Sequence, residues 1–323
     1  MLKEVSLEII QKCLNNCIYC SSNSCHNSKP ILELNVVKEV IDDICYLGAK
    51  KLCLSGGEPF LHKDILRIIE YATNKGLEIN IYSSGIVGTS DNKESLNDDI
   101  LIKAKEAGLS KVIFNLQGSN AQTYDVITKT NNNFPLVIKS IKKVKKANIK
   151  AEIHFVPMKQ NIKEIDEIIN LSKELNIDKI NFLRLVPHGR ALSNKKNIML
   201  NDEELINIQK KLYDIKKSGE KIRIGLPLSS PENKITASCH AIKEKLYIKF
   251  DGNVYGCEAF KYIEFFDKKN NPITPDNILT KRVKDIYKNS LFLTKSKDLI
   301  RDFSNKKCGC ENCSVQKYLK EKI

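Results

Sequence analysis

Residues 5–20 read VSLEIIQKCLNNCIYC, an apolar run of strand character that ends in three cysteines, Cys13, Cys17 and Cys20. Their spacing is C-x3-C-x2-C. Three thiols are too many for a redox pair and one too few for a closed structural zinc site, which takes four ligands. Thiolates bind soft metals, and closely spaced loop cysteines hold iron–sulfur clusters. If the three hold three irons of a 4Fe-4S cube, the fourth iron is left open to an exogenous ligand. A zinc site completed by Cys25 or His26 is the chemical rival, and plain packing of small apolar side chains is the bland alternative.

Downstream, short β-rich runs alternate with longer segments of helical period, the pattern of parallel strands joined by crossover helices. It predicts strands near 5–10, 51–55, 78–83, 111–116, 151–156 and 179–183. Between the first two, Asn35 is placed to cap a helix whose Val37, Val40, Ile41 and Ile44 share one face, with Gly48 just past its end. Asp64 to Lys75, ended by Gly76, reads the same way, as does a segment from Asn161 carrying Ile162, Ile165, Ile168 and Ile169. Six β/α units by residue 190 imply an incomplete TIM-like barrel, open on one side, with ligands at the C-terminal ends of its strands. The cysteine loop falls at that end. The expected organisation is a barrel core over 1–200, a helix (201–217) and connector up to 238, and a cysteine-bearing unit over 239–323.

At 323 residues and 41% hydrophobic the chain can bury a large core. It has no run of eighteen apolar residues, and MLKEVSLEII lacks the features of a secretion signal, so the expectation is a cytoplasmic protein without a membrane partner. Eleven cysteines then read as metal ligands in the main. Cys45 and Cys53 stand apart and read as packing residues. The net charge of +14 raises nucleic acid as a partner, although the lysines are spread along the chain. In the densest run, 137–150, Val137, Ile141 and Val144 keep helical spacing, so Lys139, Lys142, Lys143, Lys145 and Lys146 read as a solvated face.

C-x3-C-x2-C after a first strand, with Tyr19 before the third cysteine, resembles the radical S-adenosylmethionine enzymes. The resemblance continues in LSGGEPFLH (54–62), where Gly56, Gly57, Glu58 and Pro59 match the family's GGEP motif. It implies that this backbone and Glu58 receive the cofactor's methionine amino group. Ser83 and Ser84, in YSSG, match its ribose-contacting end of the third strand. FNLQGSNAQTYD stands where relatives carry Ser-Leu-Asp-Gly, so Asn115 and Gln117 replace Ser and Asp. FLRLVPHGRA (182–191) resembles the end of the sixth strand, offering Arg184 and Arg190 to the cofactor carboxylate or to substrate. The implied fold is α/β, a partial (β/α)6 barrel. The implied chemistry is reductive cleavage of S-adenosylmethionine at the open iron to a 5'-deoxyadenosyl radical that abstracts a substrate hydrogen, with flavodoxin or ferredoxin as electron donor.

Farther on, CHAIKEKLYIKFDGNVYGC (239–257) alternates as a β-hairpin about Asp251-Gly252. Its C-x12-G-x4-C spacing, from Cys239 to Cys257, resembles the small α+β auxiliary-cluster domains called SPASM and, when shortened, twitch. The full SPASM pattern has seven cysteines; here five remain, with Cys308, Cys310 and Cys313. One auxiliary 4Fe-4S cluster is the implied count, Cys308 being a spare or a substitute for Cys310. A zinc ribbon is the alternative for this group. Cys25 is either a hydrogen-atom donor, as in the family's peptide epimerases, or a loop thiol without a role. His154 and His188 are placed near the barrel mouth. By analogy with SPASM and twitch relatives the expected function is maturation of a ribosomally made peptide, by epimerisation or cross-linking. The alternatives are dehydrogenation or rearrangement of a small metabolite, and nucleotide or RNA modification.

Overall fold

In the protein's computed structural model, residues 1–225, 228, 239–304 and 313–322 are described. The chain alternates β1 (Glu4–Ile10), α1 (Leu34–Tyr46), β2 (Lys51–Gly56), α2 (Ile65–Asn74) and β3 (Glu78–Ser83). A small hairpin, β4 (Ile86–Gly88) and β5 (Lys93–Ser95), precedes α3 (Asp98–Glu106) and β6 (Leu109–Asn115). Then come α4 (Ala121–Thr128), α5 (Asn133–Lys146), β7 (Lys150–Phe155), α6 (Ile165–Glu174) and β8 (Lys179–Phe182). Two single turns, α7 (Arg190–Ser193) and α8 (Lys195–Ile198), lead to α9 (Asp202–Lys217) and β9 (Ile222–Ile224). The C-terminal part holds β10 (Lys245–Ile248), β11 (Val254–Tyr255), β12 (Phe265–Phe266), β13 (Pro272–Ile273), α10 (Val283–Asn289), α11 (Leu291–Ser304) and α12 (Ser314–Lys322).

All six expected barrel strands are present and pair in parallel in the order β1-β2-β3-β6-β7-β8. The same sheet gains a strand at each end. β9 pairs with β8, inside the stretch read as connector from sequence; a three-residue strand is too short to carry a period. Residues 226, 227 and 229–238 of that connector lie outside the described residues. At the other edge β10 pairs in parallel with β1 and turns back antiparallel into β11, as the Asp251-Gly252 turn requires, Gly252 having φ +88. The cysteine-bearing hairpin therefore continues the barrel sheet instead of standing beside it.

The periodicity of β1 explains what lies on each side. Successive strand residues point to opposite faces. Val5, Leu7 and Ile9 are fully buried under the helices, each contributing about 1.5–3 kcal/mol of apolar burial. Glu4, Ser6 and Glu8 face the barrel interior and line its cavity. Helix faces follow the sequence reading: Val37, Val40, Ile41 and Ile44 on α1, and Ile165, Ile168 and Ile169 on α6, are buried. Asn35, however, is not a cap. The helix starts at Leu34 after Glu33, which makes no side-chain cap bond, because the earlier start buries Leu34. A single 3-10 turn, Ile162–Glu164, separates Asn161 from α6. On α5, Lys139, Lys142 and Lys146 are exposed, while Lys143 pairs with Asp98 at 3.0 Å and Lys145 with Asp178 at 2.9 Å. Cys53 is buried in β2 and Cys45 packs partly buried against the core.

Candidate active site

The cysteine loop leaves β1 and is held from three sides. The backbone N–H groups of Asn16 and Ile18 donate to Thr128 and Ile127 carbonyls, both at 2.9 Å. Asn15 donates to the Tyr124 hydroxyl and accepts from Asn133 at 2.8 Å. From the end of the barrel Arg190 reaches in: its Nε donates to the Cys17 carbonyl at 2.7 Å, its guanidinium NH2 to that of Ser24 at 2.8 Å, and its backbone N–H to that of Cys20 at 3.0 Å. The GGEP segment supplies the third side. The Gly57 N–H donates to the Ile10 carbonyl at 2.7 Å and that of Glu58 to Lys12 at 2.8 Å. A Cβ on Gly57 would lie 2.0 Å from the Lys12 carbonyl oxygen, and one on Gly56, which has φ +127, would lie 2.1 Å from that of Ile10. These glycines admit the root of the cysteine loop itself.

Cys13, Cys17 and Cys20 line one cavity of about 450 Å³ at the C-terminal ends of the strands. Tyr19, Gly56, Gly57, Ser84, Asn115, Arg184 and Arg190 share its wall. Burial and then the neighbouring Cys17 thiol push the Cys13 thiol well up, and burial with Cys20 pushes Cys17 up to about 12. Thiols that oppose one another's ionisation in this way are a donor set suited to a cationic metal centre. A zinc ion takes its sulfurs at about 2.3 Å, whereas a cluster takes each thiol on a different iron. Three thiols on one cavity wall are a donor set that a 4Fe-4S cluster accepts.

Glu58, Pro59 and Ser83 lie behind that wall. Glu58 is fully buried, and its carboxylate accepts from the Phe60 N–H (3.1 Å), the Ser84 N–H (2.7 Å), the Ser84 hydroxyl (2.6 Å) and the Ser83 hydroxyl (2.9 Å). Burial raises its pKa against the pull of those hydrogen bonds. In the bare protein Glu58 thus fastens the GGEP turn to the end of β3. Gln117 also has a framework role: it is fully buried, donating to the His154 carbonyl at 3.0 Å and accepting from the Val156 N–H at 2.8 Å. Cys25 does not line the cavity; its thiol faces the Ser28 hydroxyl at 3.4 Å, which draws its pKa down. His154 does line it, and burial, then Arg223, push its pKa down to about 3. His188 instead hydrogen-bonds the Ala259 carbonyl at 2.9 Å.

Cys257 and Cys313 border the same cavity. Burial and then Cys313 push the Cys257 thiol up, with Cys239 adding to the rise. Cys308 and Cys310 lie outside the described residues. Beside Cys257, Glu258 opens onto the cavity. Glu8, Tyr82, Arg223 and Tyr247 add to the polar lining. The sequence reading overlooked all five of these residues. The polar alternation Glu4, Ser6, Glu8 within an apolar strand was the available signal.

Sequence profiles of two families match the chain. One, described as the Radical SAM superfamily, covers residues 7–172; the other, an iron–sulfur cluster-binding SPASM domain, covers 239–314. The chain is 30% identical to an AdoMet-dependent heme synthase of Methanosarcina barkeri, over 58% of this chain and 52% of that protein. It is 26% identical to a PqqA peptide cyclase of Bradyrhizobium diazoefficiens, over 60% of this chain and 50% of that one. It therefore spans about half the length of each. In fold it is similar to Streptococcus suis SuiB bound to its precursor peptide SuiA, with a TM-score of 0.72 at 18% identity over 98% of this chain and 70% of that one. Among the described residues no helix is long and apolar enough to cross a membrane. The cofactors are S-adenosylmethionine and a 4Fe-4S cluster, with auxiliary iron–sulfur binding in the C-terminal region, and the chain belongs to the radical SAM superfamily.

Proposed function

We propose that the chain is an enzyme that modifies a ribosomally synthesised peptide, by epimerisation or by a cross-link, in the cytoplasm. The observation that carries this reading is that Cys13, Cys17 and Cys20 share one cavity with Cys257 and Cys313, so a substrate bound there lies between two iron–sulfur sites. The PqqA peptide cyclase and SuiB, named for peptide chemistry, support the substrate class.

In this reading Cys13, Cys17 and Cys20 hold the first cluster, and Cys239, Cys257 and Cys313 with Cys308 or Cys310 hold one auxiliary cluster. When bound, the first cluster supplies reductive cleavage of S-adenosylmethionine, drawing electrons from flavodoxin or ferredoxin. The chain's own residues position and seal. Tyr19, Gly56, Gly57, Ser84, Asn115 and Arg184 form the wall against which the cofactor lies, and Glu58, Pro59 and Ser83 hold that wall in place. His154, kept neutral, and Arg223 face the substrate end. Glu258 presents its carboxyl to the cavity beside Cys257.

The test is anaerobic incubation, in deuterated buffer, of the reduced, reconstituted protein with S-adenosylmethionine and any short peptide found encoded beside its gene. The expected products are 5'-deoxyadenosine and a peptide that has lost two hydrogens or gained solvent deuterium at one Cα. The AdoMet-dependent heme synthase relative favours a small-molecule substrate as the second reading. An unmodified peptide, together with turnover of a metabolite, would replace the first reading with the second.

A further inference from the structure

A fully buried lysine ties the C-terminal unit to the cysteine loop. Lys261 follows the single 3-10 turn Glu258–Phe260 just after Cys257. Its side chain is only 1% exposed, and its ammonium donates to Glu8 Oε1 at 3.0 Å, Ser22 Oγ at 2.9 Å and Ser21 Oγ at 3.3 Å. It also sits 4.5 Å over the Tyr247 ring. Glu8 accepts from Ser22, from the Tyr247 hydroxyl and from the Phe250 N–H, and the neighbouring Tyr262 hydroxyl donates to the Ser21 carbonyl at 2.9 Å. Four segments thus meet at one ammonium: β1, the two residues after Cys20, β10, and the unit that begins at Cys257.

This is an expensive arrangement for a merely structural contact, because a charge removed from water needs its partner and several hydrogen bonds. Burial works against the ammonium, and Glu8 with Glu258 outweigh it. Cys20 also interacts electrostatically with it. The ammonium donates to the two serines that directly follow Cys20, and Glu8 accepts from the second of them, so both charges of the pair meet this segment. A positive charge fixed near a cluster ligand in a low-dielectric interior favours the more negative, reduced form of that cluster.

We propose that Lys261 is a positioning residue that fixes the segment after Cys20 and, by holding its charge beside that thiol, makes the iron–sulfur cluster of the N-terminal site easier to reduce. The inference rests on the reading that Cys13, Cys17 and Cys20 hold that cluster. It gives the C-terminal unit a part in the first site's electron uptake, independent of what its own thiols bind.

The experiment is a redox titration of the reconstituted full chain, following the electron paramagnetic resonance signal that changes when S-adenosylmethionine is added. K261Q should shift the reduction equilibrium about tenfold toward the oxidised form, which is 59 mV for one electron. E8Q, which removes the carboxylate paired directly with the ammonium, should shift it the opposite way, and K261R should keep the wild-type value. Opposite signs for K261Q and E8Q are what a structural contact would not produce. If K261Q fails to fold, the E8Q and K261R pair still decides. Potentials unchanged in E8Q and K261Q, or moved in the same direction, overturn the inference with the cluster assignment intact. Absence of any S-adenosylmethionine-responsive signal in the wild type overturns the cluster assignment and the inference with it.

Discussion

Replacing Glu58 by Gln tests the least obvious part of the site, a carboxylate buried behind the cavity wall. The Phe60 N–H donates to one carboxylate oxygen and the Ser84 N–H to the other. A glutamine amide has one oxygen and one NH2 group, so in either orientation one of these two backbone donors faces another donor. A buried N–H left without an acceptor costs about 1–3 kcal/mol, and the remaining bonds lose the strengthening of a charged acceptor. The desolvation that raises the Glu58 pKa is relieved by the same change and offsets part of this. The net expectation is a loss of about 2–3 kcal/mol, or roughly 3–4 °C in the thermal midpoint of a chain this size. The assay is anaerobic thermal unfolding followed by circular dichroism. A pH series adds a second signature: because the folded-state pKa is raised above the ordinary 4.5, the contribution of this group is full below that value and lost as pH rises through the folded pKa. E58Q should remove that dependence. A midpoint within about one degree of wild type, with the pH dependence unchanged, would refute the hydrogen-bonding account of the GGEP turn.

Further outcomes are specific. Substituting Cys13, Cys17 and Cys20 together by Ala should lower the reconstituted iron content from about eight to about four per chain and abolish S-adenosylmethionine cleavage; cleavage that persists would remove the first site. His154 should remain neutral down to about pH 3, so its imidazole resonances should not titrate across the neutral range. Its stabilising contribution is full above the unfolded value of 6.5 and lost as pH falls toward 3, and a transition near 6.5 assigned to it would contradict its burial. Gly57→Ala should prevent cluster loading, measured by iron content and visible absorption, because the new Cβ meets the Lys12 carbonyl at 2.0 Å; normal loading would show that the turn can shift freely.

How much of this was legible beforehand depends on the length of the signal. The six barrel strands and the helix near 201–217 carried readable patterns; the Asn201–Glu204 capping box that starts the helix is a finding of the structure. β9, three residues long, offered no period. The parallel pairing of β10 with β1 joins residues about 240 apart in sequence, and no local pattern encodes such a register. Within the site the cysteines announced themselves by spacing, since ligands on one loop must be close in sequence. Residues gathered from several strands, such as Glu8, Tyr82, Arg223 and Tyr247, share only a barrel interior. Glu58 is legible as a site residue from the GGEP motif, whereas nothing in the sequence shows that the Ser83 and Ser84 hydroxyls donate to it. Arg190, which the resemblance offers to the cofactor carboxylate or to substrate, also holds the cysteine loop through its guanidinium.

The central claim is that three thiols leave one iron open and that S-adenosylmethionine binds it. Electron–nuclear double resonance on the reduced, reconstituted chain, with the cofactor labelled at the methionine amino nitrogen and carboxylate oxygen, measures this directly. The account predicts hyperfine coupling of both labels to the cluster, lost when Cys13, Cys17 or Cys20 is replaced. A cluster that shows no coupling to either label, or zinc in place of iron at these thiols, would contradict it.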